Sequence, residues 1–198
     1  MDCFKYLGLY LDHNLSWNDH LTKLVNSSKY LIRVFYKLSM VLPQKLTLQC
    51  YHSLYHCHLR YMCLVWGSST KNSIAPLCTI HNSIIKIIYK LPKLSPTKSV
   101  YTNVTVLPLE ACIEYELALH MYKIVNDLIY TSHSLNYFYS SRLAKTIKLP
   151  PVLSTKYGTN SCLYKAISLY NLNAADLSNS LNTAKTQLST FAKKRFLN

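Results

Sequence analysis

The chain has 198 residues, enough for one substantial domain, or one with a small appendage, that folds without disulfide staples. Hydrophobic residues make up 49%, which excludes a disordered chain, and only 3 glycines disfavour folds built on tight hairpins or phosphate-cradling loops. A total of 22 Lys and Arg against 8 Asp and Glu gives a formal charge of +14, a field that attracts polyanions, nucleic acid foremost.

In chain order, Phe4 to Leu11 reads as a β-strand, rich in aromatic and branched residues, with Asp12-His13-Asn14 as a turn behind it. It is expected as one strand or a short hairpin, exposed and short of partners. Ser16 is a candidate N-cap, with Asp19 three positions on. Leu21, Leu24, Val25, Ser28, Leu31, Ile32, Phe35 and Leu38 then recur at helical spacing, which predicts an amphipathic helix over 17–40. Lys23, Lys29, Arg33 and Lys37 lie off its apolar stripe.

After Leu42-Pro43 a second helical pattern runs through Leu46, Cys50, Leu54, Cys57, Tyr61 and Val65 to Trp66, where Gly67-Ser68-Ser69 ends it. A third spans 72–89 and stops at Leu91-Pro92, with a basic tail of Lys86, Lys90 and Lys93. Residues 93–105 read as irregular. A fourth helix follows Leu107-Pro108, carried by Leu109, Cys112, Ile113, Leu117, Met121, Ile124 and Val125. Residues 130–162 read mostly as loop, with Pro150-Pro151 and Gly158 as punctuation. The last pattern uses Leu177, Leu181, Ala184, Leu188 and Phe191. The fold class is therefore mainly α, with β structure only at the front and an irregular C-terminal third.

The seven cysteines (Cys3, Cys50, Cys57, Cys63, Cys78, Cys112 and Cys162) fall mostly within apolar helical patterns and read as buried free thiols of a reducing compartment. Met1-Asp2 does not open a secretory leader, and no apolar run reaches membrane-spanning length. An intracellular location, nucleus or cytoplasm, is expected, with no membrane partner.

The densest group of ligand-type residues is Cys50, His52, His56, Cys57, His58 and Cys63. His52 and His56 stand one helical turn apart, as in metalloprotease helices, but no Glu follows His52 to serve as the base. A structural zinc site draws ligand pairs from loops, whereas this stretch reads as one helix whose cysteines face the core. The acids Asp2, Asp12, Asp19, Glu110, Glu114, Glu116, Asp127 and Asp176 contain no adjacent pair suited to two-metal catalysis. Glu110, Glu114 and Glu116 suit the start of a helix instead. No catalytic residue, metal or cofactor is implied.

A series of landmarks resembles the region that follows the catalytic palm in reverse transcriptases of non-LTR (LINE-type, Jockey-like) retrotransposons. Phe4-Lys5-Tyr6-Leu7-Gly8, Leu11-Asp12, Leu15-Ser16-Trp17 and His20 are similar to that family's K-Y-L-G-V-x-L-D, L-x-W and histidine. Leu59 to Gly67 resembles its L-x-Y-G-x-x-V-W-G, without the glycine after Tyr61. His81 to Ile88 resembles L-Q-x-x-A-I-R-x-I, and Leu107-Pro108-Leu109 with Met121-Tyr122-Lys123-Ile124 resembles L-x-x-L and M-Y-K-I. Gly158-Thr159-Asn160-Ser161, Tyr164, Tyr170-Asn171 and Phe191-Ala192-Lys193-Lys194 echo the family tail, although Tyr170 stands for its Trp and Asn173 for its Pro.

The resemblance implies a palm–thumb junction over 1–16, a three-helix thumb-like bundle over 17–92 and a helical connection and C-terminal region over 93–198. It places Tyr6, Leu7 and Gly8 beside the primer grip, and the strand's partner in the palm. The implied function is binding of an RNA or DNA duplex backbone without sequence preference, as part of an RNA-directed DNA polymerase. Arg33, Arg60, Lys86, Lys90 and Lys93 are the expected phosphate contacts. This chain alone is not expected to be an enzyme, since the family's catalytic aspartates lie in the palm. The alternatives are a helical interaction module, docking a palm in trans, and a relic of a transposable element.

Overall fold

A computed structural model describes residues 3–102, 104–126, 128–129, 147, 149–150, 161–173 and 180–198. The expected loop over 130–162 lies almost wholly outside these residues, as do Asp2, Asp127, Gly158, Asp176, Leu177 and the side chain of Asn173. The fold is mainly α. Two compact units divide the chain, Met1–Leu109 and Glu110–Asn198.

The first unit begins with β1 (Phe4–Tyr6) and β2 (Leu9–Leu11), which pair antiparallel with Phe4 opposite Leu11 and Tyr6 opposite Leu9. Leu7 and Gly8 form the two-residue turn, with φ of 45° and 84°. Positive φ at both positions is what a type I′ hairpin turn demands. Gly8 takes it freely, whereas Leu7 bears steric strain. Of the two expected forms, the short hairpin is the one that forms: the stretch folds back and supplies its own partner, which corrects the reading that its partner strand is missing. Exposure is as expected, since Phe4, Lys5 and Tyr6 all face solvent.

Helix α1 (Asn18–Val41) follows. Ser16 is not its N-cap residue, although its Oγ accepts a long bond, 3.5 Å, from the Asn18 amide. Trp17 is the N-cap, in the left-handed region with no side-chain cap bond, while the Ser16 hydroxyl donates to the Asp12 carboxylate. The Ser16 amide donates to the same carboxylate at 2.8 Å, so Asp12 closes the loop between β2 and α1. The helix ends at Leu42, whose extended backbone (ψ 147°) is what a following proline imposes.

The second helical pattern is not continuous. It forms α2 (Gln44–Tyr51), a π-helical segment His52–His56, α3 (Cys57–Arg60) and, after a break, α4 (Cys63–Trp66). Met62 takes φ 52° at the break, and the Trp66 indole donates to the Tyr61 carbonyl at 3.0 Å. Helix α5 (Lys71–Ile88) is capped by Thr70, whose side chain accepts from the Ser73 amide. Residues 97–102, read as irregular, form α6 (Thr97–Thr102).

α1 and α5 are main packing partners that start from a common end, where Ser73 Oγ donates to Asn18 Oδ1 at 2.8 Å. α2 folds back along α1, so Phe35 meets Tyr51 with ring centroids 6.4 Å apart. Between these helices lies an aromatic layer of Phe35, Tyr51, Tyr55, His81 and Tyr101, all essentially without solvent exposure. Ile84, Ile85, Leu77 and Trp66 extend the core.

The second unit holds α7 (from Leu109 to Val125), α8 (Cys162–Asn173) and α9 (Leu181–Leu197). α7 buries residues around most of its circumference, including Ala111, Ile113, Leu117, Ala118, Leu119 and Tyr122. α8 was not foreseen. Its Asn171 side chain clasps Ile147 from both sides, accepting from the amide and donating to the carbonyl, each at 2.8 Å. α9 buries Ala184, Leu188 and Ala192, and Arg195 lies 3.9 Å from Glu114.

All seven cysteines are free, but only Cys63 is buried and Cys57 is exposed. The reading of the cysteines as core residues is corrected accordingly. Cys57 sits on the solvent side because the buried face of this stretch runs through Thr47, Tyr51, Tyr55 and Leu59, one step off the expected stripe of Leu46, Cys50, Leu54 and Cys57.

Candidate nucleic-acid interface

Arg33 lies on the exposed face of α1. Arg60, also exposed, closes α3 beside His52 and His56, and its charge helps hold both imidazoles below their usual pKa. The larger cause for each is burial, which in His56, with His52 adding to it, brings the value down to about 4. The two rings meet edge to face with centroids 5.2 Å apart, and His56 stacks on Tyr51 at 5.6 Å. At neutral pH this pair is uncharged and packs as aromatic surface.

Lys86, Lys90 and Lys93 are brought together where α5 stops. Lys90 has φ 52°, a position that usually wants glycine. Its amide donates to Ile87 O at 3.1 Å and the Leu91 amide to Lys86 O at 2.8 Å, the two bonds of a Schellman closure. Lys86 is half-buried, and its Nζ donates to the Lys93 carbonyl at 2.9 Å. That bond folds the outgoing chain back over the helix end. Lys90 and Lys93 remain exposed there, and all three cations complement the negative end of the helix dipole.

Tyr6, Leu7 and Gly8 form the hairpin tip. Tyr61 donates its hydroxyl to the Leu7 carbonyl, and its ring lies 3.5 Å from where a Cβ on Gly8 would stand. The hairpin is further held by Lys23, whose Nζ sits 3.2 Å above the Tyr10 ring, and by Tyr10 stacking on His20 at 6.4 Å. The tip is therefore fixed to α1 and to the α3–α4 break, with Tyr6 and Leu7 open to solvent. Hydrogen bonds from the Ser16 side chain and backbone hold the Asp12 carboxyl below its usual range, although burial opposes them.

Beneath this surface His81 is fully enclosed. Its Nε2–H donates to the Leu107 carbonyl at 3.2 Å, and its ring stacks on Tyr101 at 6.3 Å. Burial brings its pKa down to about 4. Tyr101 in turn donates to Asn82 Oδ1 at 2.7 Å. His81 and Asn82 thus tie α5 to the 101–107 stretch, a positioning role that spacing did not announce.

Among the described residues, no three His, Cys, Asp or Glu side chains are grouped to hold a metal ion. No helix of the described residues is long and apolar enough to cross a membrane. No family model, curated protein or solved structure matches the chain.

Proposed function

We propose that the chain is the C-terminal, thumb-and-connection region of a non-LTR retrotransposon reverse transcriptase, and that it binds a template–primer duplex through its backbone. The ordered series of landmarks from Tyr6-Leu7-Gly8 to Met121-Tyr122-Lys123-Ile124 carries this reading. The exposed cations Arg33, Arg60, Lys90 and Lys93 suit it, because phosphate contacts need positive charge at the surface and carry no sequence information. The chain works without a metal or cofactor of its own and, alone, without polymerase activity. Its place is inside the cell, in nucleus or cytoplasm.

Titration of a short RNA–DNA hybrid against salt tests the reading. Binding is expected to weaken steeply, by a log–log slope of about −0.9 for each phosphate neutralised. Neutralising Lys90 and Lys93 together should make that slope shallower by about 2. Absence of binding at low salt overturns the reading.

A second reading, a module that docks a protein such as a palm supplied in trans, is favoured by the apolar hairpin tip. Phe4, Tyr6 and Leu7 are 67%, 57% and 62% exposed. Co-purification with a palm fragment, lost on Phe4→Ser with Leu7→Ser, would support this second reading over the first.

A further inference from the structure

The outer face of α1 carries a pattern that backbone contact with a duplex does not require. Lys29, Tyr30, Arg33, Tyr36 and Lys37 are all exposed, Tyr30 by 69% and Tyr36 by 54%. At 3.6 residues per turn these five fall within an arc of roughly 120°. The three cations rise in steps of about 6 Å along the axis, and the two tyrosines are about 9 Å apart. The helix has one acidic residue, Asp19, in its first turn, well before this stretch. Exposed tyrosines cost apolar hydration and gain nothing from the core, whose aromatic layer lies on the opposite side of the same helix.

A groove of about 380 Å³ continues this face toward the end of α1. Val34, Lys37, Leu38, Val41 and Leu42 line it. It is shallow and apolar, and the aliphatic stem of Lys37 forms part of its wall.

We propose that this face is a platform for single-stranded nucleic acid, on which unpaired bases stack on Tyr30 and Tyr36 while Lys29, Arg33 and Lys37 neutralise the phosphates between them. Flat π-surfaces interleaved with cations are the chemistry that single strands need, since stacked bases of a duplex offer no face to a tyrosine. A membrane surface fits less well. Interfacial helices segregate apolar and cationic sectors, whereas Lys29, Tyr30, Arg33, Tyr36 and Lys37 share one arc. The proposal rests on the nucleic-acid reading above for its class of partner, and reassigns Arg33, with the rest of this face, from the duplex to an unpaired strand.

The test is fluorescence anisotropy of a labelled oligouridine and of a labelled RNA–DNA hybrid against the full chain. Tyr30→Ala with Tyr36→Ala should weaken oligouridine binding by about ten-fold or more while leaving hybrid affinity within a factor of about two. Tyr30→Phe with Tyr36→Phe should keep wild-type affinity, because stacking needs the ring and not the hydroxyl. Circular dichroism of the alanine pair should match wild type, as both positions are exposed. Equal losses on both ligands, or none on oligouridine, overturn the platform. If the wild-type chain binds the hybrid and not oligouridine, the platform fails and the duplex reading stands. If oligouridine binding is present and tyrosine-dependent but the hybrid does not bind, the platform stands and the duplex reading fails. Tyrosine-dependent binding to anionic vesicles in place of oligouridine also overturns it.

Discussion

The two faces of α1 use the same residue types for opposite ends. Inward, Phe35 packs against the aromatic layer of Tyr51, Tyr55, His81 and Tyr101, dry and closely spaced. Outward, Tyr30 and Tyr36 stand in water among lysines and an arginine. A tyrosine's function in this protein is set by the side of the helix it falls on. The inner face holds the unit together, and the outer one can change its side chains without risking the fold.

The sharpest test of that contrast is to remove a ring from each side. Phe35→Ala should cost about 3–5 kcal/mol in urea denaturation, the price of a large cavity in a closed core. Tyr30→Ala should stay within about 0.5 kcal/mol of wild type. Comparable losses from both would mean that the outer face is structural too.

The pH dependence of the inner face gives the next effect. His81 has its folded pKa lowered from 6.5 to about 4, so the unfolded chain takes up the proton first as pH falls. Stability is full above about pH 6.5 and is lost progressively down to about pH 4, by about 3 kcal/mol. Charged or titratable neighbours in that layer are His56, itself kept neutral, and the phenols of Tyr51, Tyr55 and Tyr101. A His81→Phe variant should flatten the fall in denaturation midpoint across this range. An unchanged slope would show that other groups govern it.

Lys90 extends the comparison to α5, where a cation serves both closure and surface charge. Lys90→Gly should relieve its left-handed backbone and raise stability by about 1 kcal/mol, while making the hybrid-binding salt slope shallower by about 0.9. A stability gain with no change in slope would leave Lys90 a helix-ending residue alone. A local effect of similar size is expected at the hairpin. Tyr61→Phe removes the bond to the Leu7 carbonyl and should cost about 0.5–1.5 kcal/mol, read as faster amide exchange in β1 and β2.

Much of the helical framework could be read from the chain itself. The expected spans 17–40 and 72–89 match α1 and α5 to within a residue, because both carry a narrow apolar stripe that one-sided burial requires. α8 escaped notice because its apolar residues spread around the helix and leave little periodicity. The interruption at His52–His56 and the break at Met62 were illegible for another reason. Both are backbone choices, and the buried series Tyr51, Tyr55, Leu59, Cys63 and Trp66 is mostly spaced by four, whereas the expected stripe of Leu46, Leu54 and Tyr61 lies exposed. The hairpin was half visible, since Gly8 marks a turn but Leu7 does not announce a left-handed conformation. Lys86, Lys90 and Lys93 could be grouped by proximity in sequence, but Lys86's bond to a carbonyl depends on how the chain closes after the helix. Tyr30 and Tyr36 were missed because a tyrosine counts as apolar in a periodicity search, although both fall in the arc that Lys29, Arg33 and Lys37 already marked.

The π-helical segment sets a rule for how this chain tolerates deletion. A π-turn accommodates one more residue than an α-turn, so loss of a single exposed residue such as Ser53 would let the stretch anneal into ordinary α-helix with its hydrogen bonds intact. Everything downstream would keep its rotation about the axis, because the wide turn is what absorbs the extra residue. Leu59 would stay in the core, and Tyr61 would keep its reach to the Leu7 carbonyl. The awkward turn thus holds one spare residue, which the chain can lose without unlinking two segments that lie far apart in sequence.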